Sequence, residues 1–271
     1  MVPHIFKPGE DLSAFVKCYW VLESPKGNTP VRNTIVPDGC VKMIFHYKDL
    51  YKHYLQDGSS VILPKSFLIG QLTQPYDVEP TGETGTFFVC FHPNGFLPFT
   101  TLPIKEMENT AVPLEKIFGK DGISISQKII RAQSTPERIN HIETFLLDRL
   151  INTQTIDHIV NSTVATILTA NGQISVEELS DQAETNRRQL ARKFSTAIGL
   201  SPKQLSKTIR LQAALKALLA EKPTKLTELA YDNQYFDQAH FIKDFKEFTG
   251  LTPKEFYGDQ LTMSLIFESK K

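Results

Sequence analysis

The chain has 271 residues, 41% of them hydrophobic, and its 30 basic residues balance 30 acidic ones. This composition is ordinary for a folded protein long enough for two domains, and it argues against a disordered chain. The sequence shows neither a signal peptide nor the ~20 consecutive apolar residues of a membrane span, so we expect a cytoplasmic protein without a membrane partner. Many nucleic-acid binders are clearly basic, so a neutral chain of that class would need its positive charge concentrated locally.

Four short apolar runs in the first hundred residues are separated by turn residues such as Pro37-Asp38-Gly39. They cover residues 18–22, 41–47, 66–69 and 84–91 and predict strands. Strands at this spacing indicate a barrel or a sandwich. Aromatic residues on these runs are candidates for an effector pocket, with ordinary core packing as the alternative; they are Trp20, Phe45, Tyr47, Phe88 and Phe91.

The chemistry-bearing residues of this region do not form a recognisable catalytic or metal-binding motif. Cys18, Cys40 and Cys90 are odd in number and widely spaced, which fits neither a disulfide framework nor a paired CxxC site. We expect them to be reduced thiols that are buried or half-buried. The histidines show no HxxxH or HxH spacing, and there is no Gly-rich phosphate loop or GxSxG elbow. The sequence therefore predicts no metal, no cofactor and no catalytic residue.

Helical patterns follow the strands. Short helices are predicted at 113–118 and 122–132, and Thr135-Pro136-Glu137 predicts the start of a third. The third helix carries an apolar stripe that either forms a dimer seam or packs on the chain's own barrel, and its members are Ile139, Ile142, Leu146 and Leu150. A further helix over 157–170 ends at Asn171-Gly172, which marks a boundary before the next cap. We assign residues 1–155 to a first domain and residues 156–271 to a second.

The second domain contains one motif twice. Residues 194–205 are echoed by residues 245–256, with matching positions 51 apart. Each copy has a helix, a Gly stop, and a Ser/Thr-Pro start for the next helix. Residues 175–178 form a predicted capping box that begins a short helix ending near Ala183. Asn186 is the predicted cap of the next helix, which ends at Gly199. This is the layout of a helix-turn-helix, whose second helix can enter a DNA major groove.

A long linking helix is predicted from Ser201-Pro202 through Ala220, and Pro223-Thr224 opens the second copy. There Asp237 caps a helix that ends before Gly250. The apolar segment 263–267 in the tail has no assigned role.

The second helix of each unit is the predicted recognition helix, and the one that follows the Asn186 cap is strongly basic. Arg188 and Arg192 are four apart and share one face, away from Leu190 and Phe194. An Arg fork matches guanine O6 and N7, so we expect these two to read bases. Four flanking polar residues are expected to complete the DNA contact: Asn186, Arg187, Gln189 and Lys193. Of these, Arg187 and Lys193 are expected to contact phosphates. The alternative is a solvated charged face, which the tandem repeat disfavours.

The repeated motifs resemble the AraC/XylS family of transcription regulators. The resemblance rests on Leu190-x-Arg192-x-Phe194, on residues 237–245, and on the Gly-Leu-Ser/Thr-Pro after each unit. It implies that Gln238, Ala239 and Lys243 face the groove in the second unit. His240 then either lies near a phosphate or is a packing histidine. The glycine frequent in each turn of this family is replaced by Glu184 and Gln234, which leaves the turn geometry open.

The amino-terminal part resembles the sensor domains of one branch of that family. The resemblance is carried by Tyr19-Trp20, by residues 37–40, by Gly70-Gln71 and by residues 91–95. It implies an α+β two-domain fold, with an N-terminal cupin-like β-barrel, trailing helices, and a C-terminal all-α tandem helix-turn-helix domain.

The expected function is sequence-specific transcription regulation. The partners it implies are double-stranded DNA, a small-molecule effector at the first domain, RNA polymerase, and a second copy of the chain. The alternatives are a DNA-repair or other enzyme carrying this module, for which only Cys18 beside Lys17 offers a reactive thiol, and a ligand-free architectural protein.

Overall fold

The computed structural model describes residues 4–25, 31–150, 157–220, 231, 235 and 237–258. Its β-rich part consists of two antiparallel sheets. The strands are β1 His4–Phe6, β2 Val16–Ser24, β3 Asn33–Ile35, β4 Lys42–His46, β5 Tyr51–Tyr54, β6 Ser60–Ile62, β7 Ser66–Ile69, β8 Tyr76–Pro80, β9 Thr84–Phe91 and β10 Ala111–Pro113. One sheet has the order β1-β2-β9-β4-β7-β10 and the other has the order β3-β8-β5-β6.

The helices follow the sheets in sequence. They are α1 Leu114–Phe118, α2 Lys120–Arg131, α3 Thr135–Arg149, α4 His158–Thr169, α5 Val176–Gln182, α6 Arg187–Ile198, α7 Pro202–Ala220, α8 Gln238–Thr249 and α9 Pro253–Gly258. This architecture confirms the predicted α+β fold, with a β-rich part, trailing helices and a helical carboxy-terminal part.

The six-stranded sheet is apolar on both faces. Successive residues of a strand point to opposite faces, so Trp20 and Phe88 face the four-stranded sheet, while Tyr19 and Phe87 face the helices. All eight residues of β9 are buried for this reason. The layer between the two sheets forms one apolar core, and the layer between the large sheet and the helices forms another.

The stripe on α3 packs on the chain's own core. Ile142 and Leu146 are fully buried, and Ile139 and Leu150 lie half-buried against the same cluster. Glu143, on the same helix, accepts hydrogen bonds from the Tyr19 hydroxyl at 3.1 Å and from the backbone N–H of Gly9 at 2.8 Å. Of the two alternatives for this stripe, the structure supports packing on the chain's own core, and the dimer-seam interpretation is wrong because the stripe is already covered.

The start of α3 lies one residue earlier than predicted. Ser134 is the cap, and its hydroxyl accepts from the backbone N–H of Glu137 at 3.3 Å. Pro136 and Glu137 then occupy the first turn, where a missing N–H and a negative charge are both tolerated well.

The first helix-turn-helix unit has the predicted caps. Ser175 and Glu178 form a reciprocal capping box, with N···O distances of 3.1 and 2.9 Å. Asn186 accepts from the backbone N–H of Gln189 at 2.9 Å and begins α6. Between the two helices, Glu184 has φ +48°, a left-handed conformation that glycine adopts more easily. The turn therefore keeps its geometry without a glycine, at some cost in backbone strain.

The repeated motif has a physical explanation. In each copy the helix ends at a left-handed glycine, with φ +83° at Gly199 and +79° at Gly250. The next helix then begins with a second capping box, formed by Ser201 with Gln204 and by Thr252 with Glu255. The predicted elements at Pro223-Thr224, Gln234 and 263–267 lie outside the described residues.

Candidate nucleic-acid interface

Helix α6 presents a basic face opposite a buried one. Leu190 and Phe194 are fully buried in the core, whereas Arg188 and Arg192 are exposed. Their spacing of four residues places both guanidinium groups on one side of the helix. The exposed N-cap residue Asn186 lies at the amino end of the helix, and the next residue along, Arg187, forms an exposed ion pair with Glu177 at 2.6 Å.

Lys193 differs from its neighbours. It is half-buried and forms an ion pair with Asp157, the residue that caps α4. Hydrogen bonding to this lysine is the main cause that holds the pKa of the Asp157 carboxyl below its usual range. The same carboxylate accepts from the backbone N–H of Ile159 at 2.8 Å. Lys193 therefore ties α6 to α4 in this structure, which sets it apart from the exposed arginines.

Helix α8 repeats the arrangement with fewer charges. Phe241 and Phe245 are fully buried, whereas Ala239 and Lys243 are exposed and Gln238 is half-buried. The cap is Asp237, which accepts from the backbone N–H of His240 at 2.7 Å. The second unit therefore offers a small, mostly uncharged surface where the first offers two arginines.

His240 is both exposed and in contact with protein. Its side chain is 49% exposed, and Nε2 lies 3.6 Å from the Asp244 carboxylate. Its ring also packs edge-on against Tyr235, with centroids 5.4 Å apart. The two alternatives left open by the sequence are therefore compatible, since a packed ring still presents an edge to solvent.

A buried carboxylate joins the second unit to the linking helix. Asp244 is only 5% exposed, and it accepts from Lys207 of α7 at 2.9 Å. Arg210, one turn further along α7, lies 3.8 Å from the same carboxylate. Burial lowers the pKa of Lys207, but hydrogen bonds to Glu247 and Asp244 outweigh it and raise that pKa overall. These contacts fix α8 at a set angle to α7, and the sequence pattern alone did not indicate them.

The β-rich part contacts the linking helix directly. Val36, in the loop between β3 and β4, is buried in the core of the second unit with Leu211 and Phe245. The Pro37 carbonyl accepts from Gln212 Nε2 of α7 at 2.6 Å. Gly39 has φ +74°, and a Cβ there would lie 3.1 Å from Leu205. This loop therefore positions the helix that joins the two units, a contact that the sequence did not predict.

The space between the two sheets is a small apolar cavity of about 50 Å³. Of the predicted pocket residues, Trp20 and Phe88 line it. Phe45 and Phe91 lie on the opposite face of the large sheet in the helix-side core, and Tyr47 packs against that core. The pocket prediction is therefore wrong for these three residues, because the alternation of side chains along a strand places them away from the cavity. Ligand sites usually have at least about 300 Å³, so this interior is nearly filled.

The residues that the structure describes contain no group of three or more His, Cys, Asp or Glu arranged to hold a metal ion. No helix among them is long and apolar enough to cross a membrane.

Two capped helices with matching ends, joined through α7, give the carboxy-terminal part the layout of a helix-turn-helix domain. Residues 179–258 match the family described as a helix-turn-helix domain. Residues 4–113 match a domain of unknown function, DUF6597.

Several proteins are similar to parts of the chain. An uncharacterized HTH-type transcriptional regulator of Staphylococcus aureus is 31% identical over 87 residues, which are 32% of this chain and 12% of that protein. One from Haemophilus influenzae is 32% identical over 81 residues, 30% of this chain and 27% of that protein. The chain therefore spans only a small part of these relatives. Among solved structures, ToxT from Vibrio cholerae covers 88% of this chain and 96% of its own, at 13% identity and a TM-score of 0.47.

Proposed function

We propose that the protein is a sequence-specific DNA-binding transcription regulator in which each helix-turn-helix unit reads one box of an asymmetric site. The observation that carries this proposal is the matched pair α6 and α8. Both have 12 residues, an Asx cap at the start, a left-handed glycine at the end, a buried apolar face and an exposed polar face. A recognition helix needs this combination, since one face must be held by the domain and the other must reach base edges.

The unlike exposed faces assign different tasks to the two units. Arg188 and Arg192 can each form a bidentate contact with guanine, worth about 1–3 kcal/mol of base discrimination. Gln238 can read adenine, and Ala239 can contact a thymine methyl, so the second unit reads a different box. Arg187, Gln189 and Lys243 are proposed to hold phosphates or complete the base contacts, and His240 is proposed to approach a phosphate with its exposed edge.

The separation of the units supports reading of one DNA face. Helix α7 has 19 residues and, at ~1.5 Å per residue, is about 28 Å long. Successive major grooves on one face of B-DNA are ~34 Å apart. Because Asp244 fixes α8 against Lys207 of α7, the two recognition helices are held at a set distance.

The β-rich part is proposed to control this domain through the loop at Val36 to Gly39. Support comes from the buried Val36 and from the hydrogen bond between Pro37 and Gln212. A small-molecule effector, RNA polymerase and a second copy of the chain are proposed as the partners of such control. An effector of ordinary size would have to separate the two sheets, since the cavity between them is about 50 Å³.

The names of the relatives favour a regulator over the repair-enzyme alternative, because the matched proteins are named transcriptional regulators. Any enzymatic role of the whole chain would have to come from residues outside the recognition helices.

The test is selection of bound DNA from a randomised duplex library with the full chain. We expect a consensus with two unlike boxes and an affinity that falls steeply with salt, since bound phosphates release counterions. Arg188→Ala and Arg192→Ala should each relax the preference in one box by about 1–3 kcal/mol. Arg131→Ala is the matched control, because it removes the same charge from an exposed position on α2. No enriched sequence, or equal effects of all three substitutions, would contradict the proposal.

A further inference from the structure

The three cysteines, far apart in the sequence, come together on or beside three neighbouring inner strands of the six-stranded sheet, β2, β9 and β4. Cys18 on β2 is the direct cross-strand partner of Cys90 on β9, and Cys90 is the partner of Lys42 on β4. Direct partners share a face of the sheet, so the two thiols and the lysine form a row across three strands. All three cysteines are free thiols in this structure.

The two thiols of the row have different environments. Cys18 is half-buried, whereas Cys90 is buried and accepts a hydrogen bond from Trp20 Nε1 at 2.9 Å. The hydrogen bond from Cys90, helped by Lys17 and Lys42 against the effect of burial, holds the pKa of Cys18 below its usual range. Burial raises the pKa of Cys90. One thiol is therefore accessible and activated, and its neighbour is protected.

The distance between the strands suits a disulfide. Directly opposed residues in antiparallel strands have Cα atoms about 4.5–5.5 Å apart. Disulfides span Cα distances of about 4.4–6.8 Å, so the backbone need not move far for Cys18 and Cys90 to join. The strand pairing is irregular between Val16 and Cys18, which gives the Cys18 end of β2 local freedom to adjust.

Cys40 is the natural comparison within the same cluster. It is buried, and burial raises the pKa of its thiol to about 11. Its backbone N–H donates to Asp38 at 3.1 Å, in the loop that contacts α7. Because the thiolate is the reactive form, a buried thiol with so high a pKa reacts slowly with oxidants at neutral pH.

We propose that Cys18 and Cys90 are a hydroperoxide-sensitive dithiol pair, in which Cys18 is the attacking thiol and Cys90 the resolving thiol. The Cys18 thiolate attacks the terminal oxygen of a hydroperoxide ROOH, the O–O bond breaks, and RO⁻ takes up a proton to leave as ROH. Cys18 is then a sulfenic acid. The Cys90 sulfur attacks it, hydroxide leaves with the Cys90 proton as water, and a Cys18–Cys90 disulfide forms. The two thiols lose two electrons and the peroxide gains them.

The experiment uses the full reduced chain treated with a small excess of hydrogen peroxide, then alkylated and digested with trypsin. The three cysteines fall on separate peptides, residues 18–26, 33–42 and 66–105. We expect an intact mass, measured before alkylation, lower by about 2 Da, and after digestion a linked peptide joining 18–26 to 66–105 together with alkylated Cys40. Dithiothreitol should restore all three thiols.

The variants separate the roles. Cys18→Ser should slow thiol loss by roughly tenfold or more, because the activated thiol is gone. Cys90→Ser should leave a Cys18 sulfenic acid that dimedone labels. Cys40→Ser is the matched control and should behave as the unsubstituted chain, with circular dichroism confirming that each variant folds. A link to Cys40, a chain-to-chain disulfide, or thiol loss in Cys18→Ser at the unsubstituted rate would overturn the proposal.

Discussion

The buried ion pair between Lys42 and Asp38 allows a sharp test of how the β-rich part is held together. The Lys42 side chain is 3% exposed and the Asp38 side chain 10%, with Nζ and Oδ1 2.7 Å apart. Asp38→Asn keeps the shape and a carbonyl that can accept from Cys40, but it takes away the charge that faces the buried ammonium. Breaking one side of a buried pair costs about 3–5 kcal/mol. Because the Asn oxygen can still accept a hydrogen bond, we expect the lower end, about 3 kcal/mol.

The partner substitution should behave differently. Lys42→Met in the Asp38→Asn background removes the buried ammonium and leaves a flexible apolar chain that lines the cavity beside Trp20 and Ile44. Replacing a buried pair by apolar groups of similar size is often neutral or stabilising. The double variant should therefore recover most of the loss of about 3 kcal/mol.

Urea unfolding followed by fluorescence is the assay, since Trp20 is the single tryptophan and lies in the same layer as Lys42. With a urea dependence of ~3 kcal/mol per M, Asp38→Asn should lower the midpoint by about 1 M, and the double variant should return close to the original midpoint. A double variant no more stable than Asp38→Asn, or a single variant that loses less than about 1 kcal/mol, would refute this reasoning.

Substitutions test three further features. Burial lowers the pKa of His46 to about 4, so on acidification the unfolded chain takes up the proton before the folded chain does. The free energy of unfolding should therefore fall by about 3 kcal/mol between pH 6.5 and pH 4, and His46→Gln should flatten this pH dependence. Glu184→Gly should raise the unfolding free energy by up to about 1 kcal/mol by relieving φ +48°, whereas Glu184→Ala should not. Val36→Ala should lower the thermal midpoint through a loss of about 2 kcal/mol, whereas Val31→Ala, at a 59% exposed position, should leave it unchanged.

Local signals in the sequence predicted much of the fold. All four predicted strands form, and each belongs to the six-stranded sheet, because long apolar runs are strong signals. The four-stranded sheet was missed. Its strands have three to five residues, carry polar side chains or a proline, and β6 is exposed throughout. Such strands are held by their neighbours more than by their own composition.

The sequence alone does not give the register in which strands pair, so it could not show which predicted pocket residues share a face of the sheet. Phe45 and Phe88 both lie on apolar runs, but the pairing of β4 with β9 sets Ile44 opposite Phe88, so Phe45 faces away. The helix caps at Asn186 and Asp237 were confirmed because they depend only on residues three apart. The contacts of Asp244 and Val36 with α7 join distant segments, which no local pattern specifies.

Whether both helix-turn-helix units read bases is tested most directly by changing the spacing between the two boxes of a selected DNA site. Inserting five base pairs turns the second box to the opposite face of the duplex, since one turn is about 10.5 base pairs. Replacing five spacer base pairs without changing the length is the control. We expect the insertion to lower the affinity of the full chain to the level of non-specific DNA, while the control leaves it unchanged. Unchanged affinity after the insertion would contradict this expectation, and would show that α8 reads no bases.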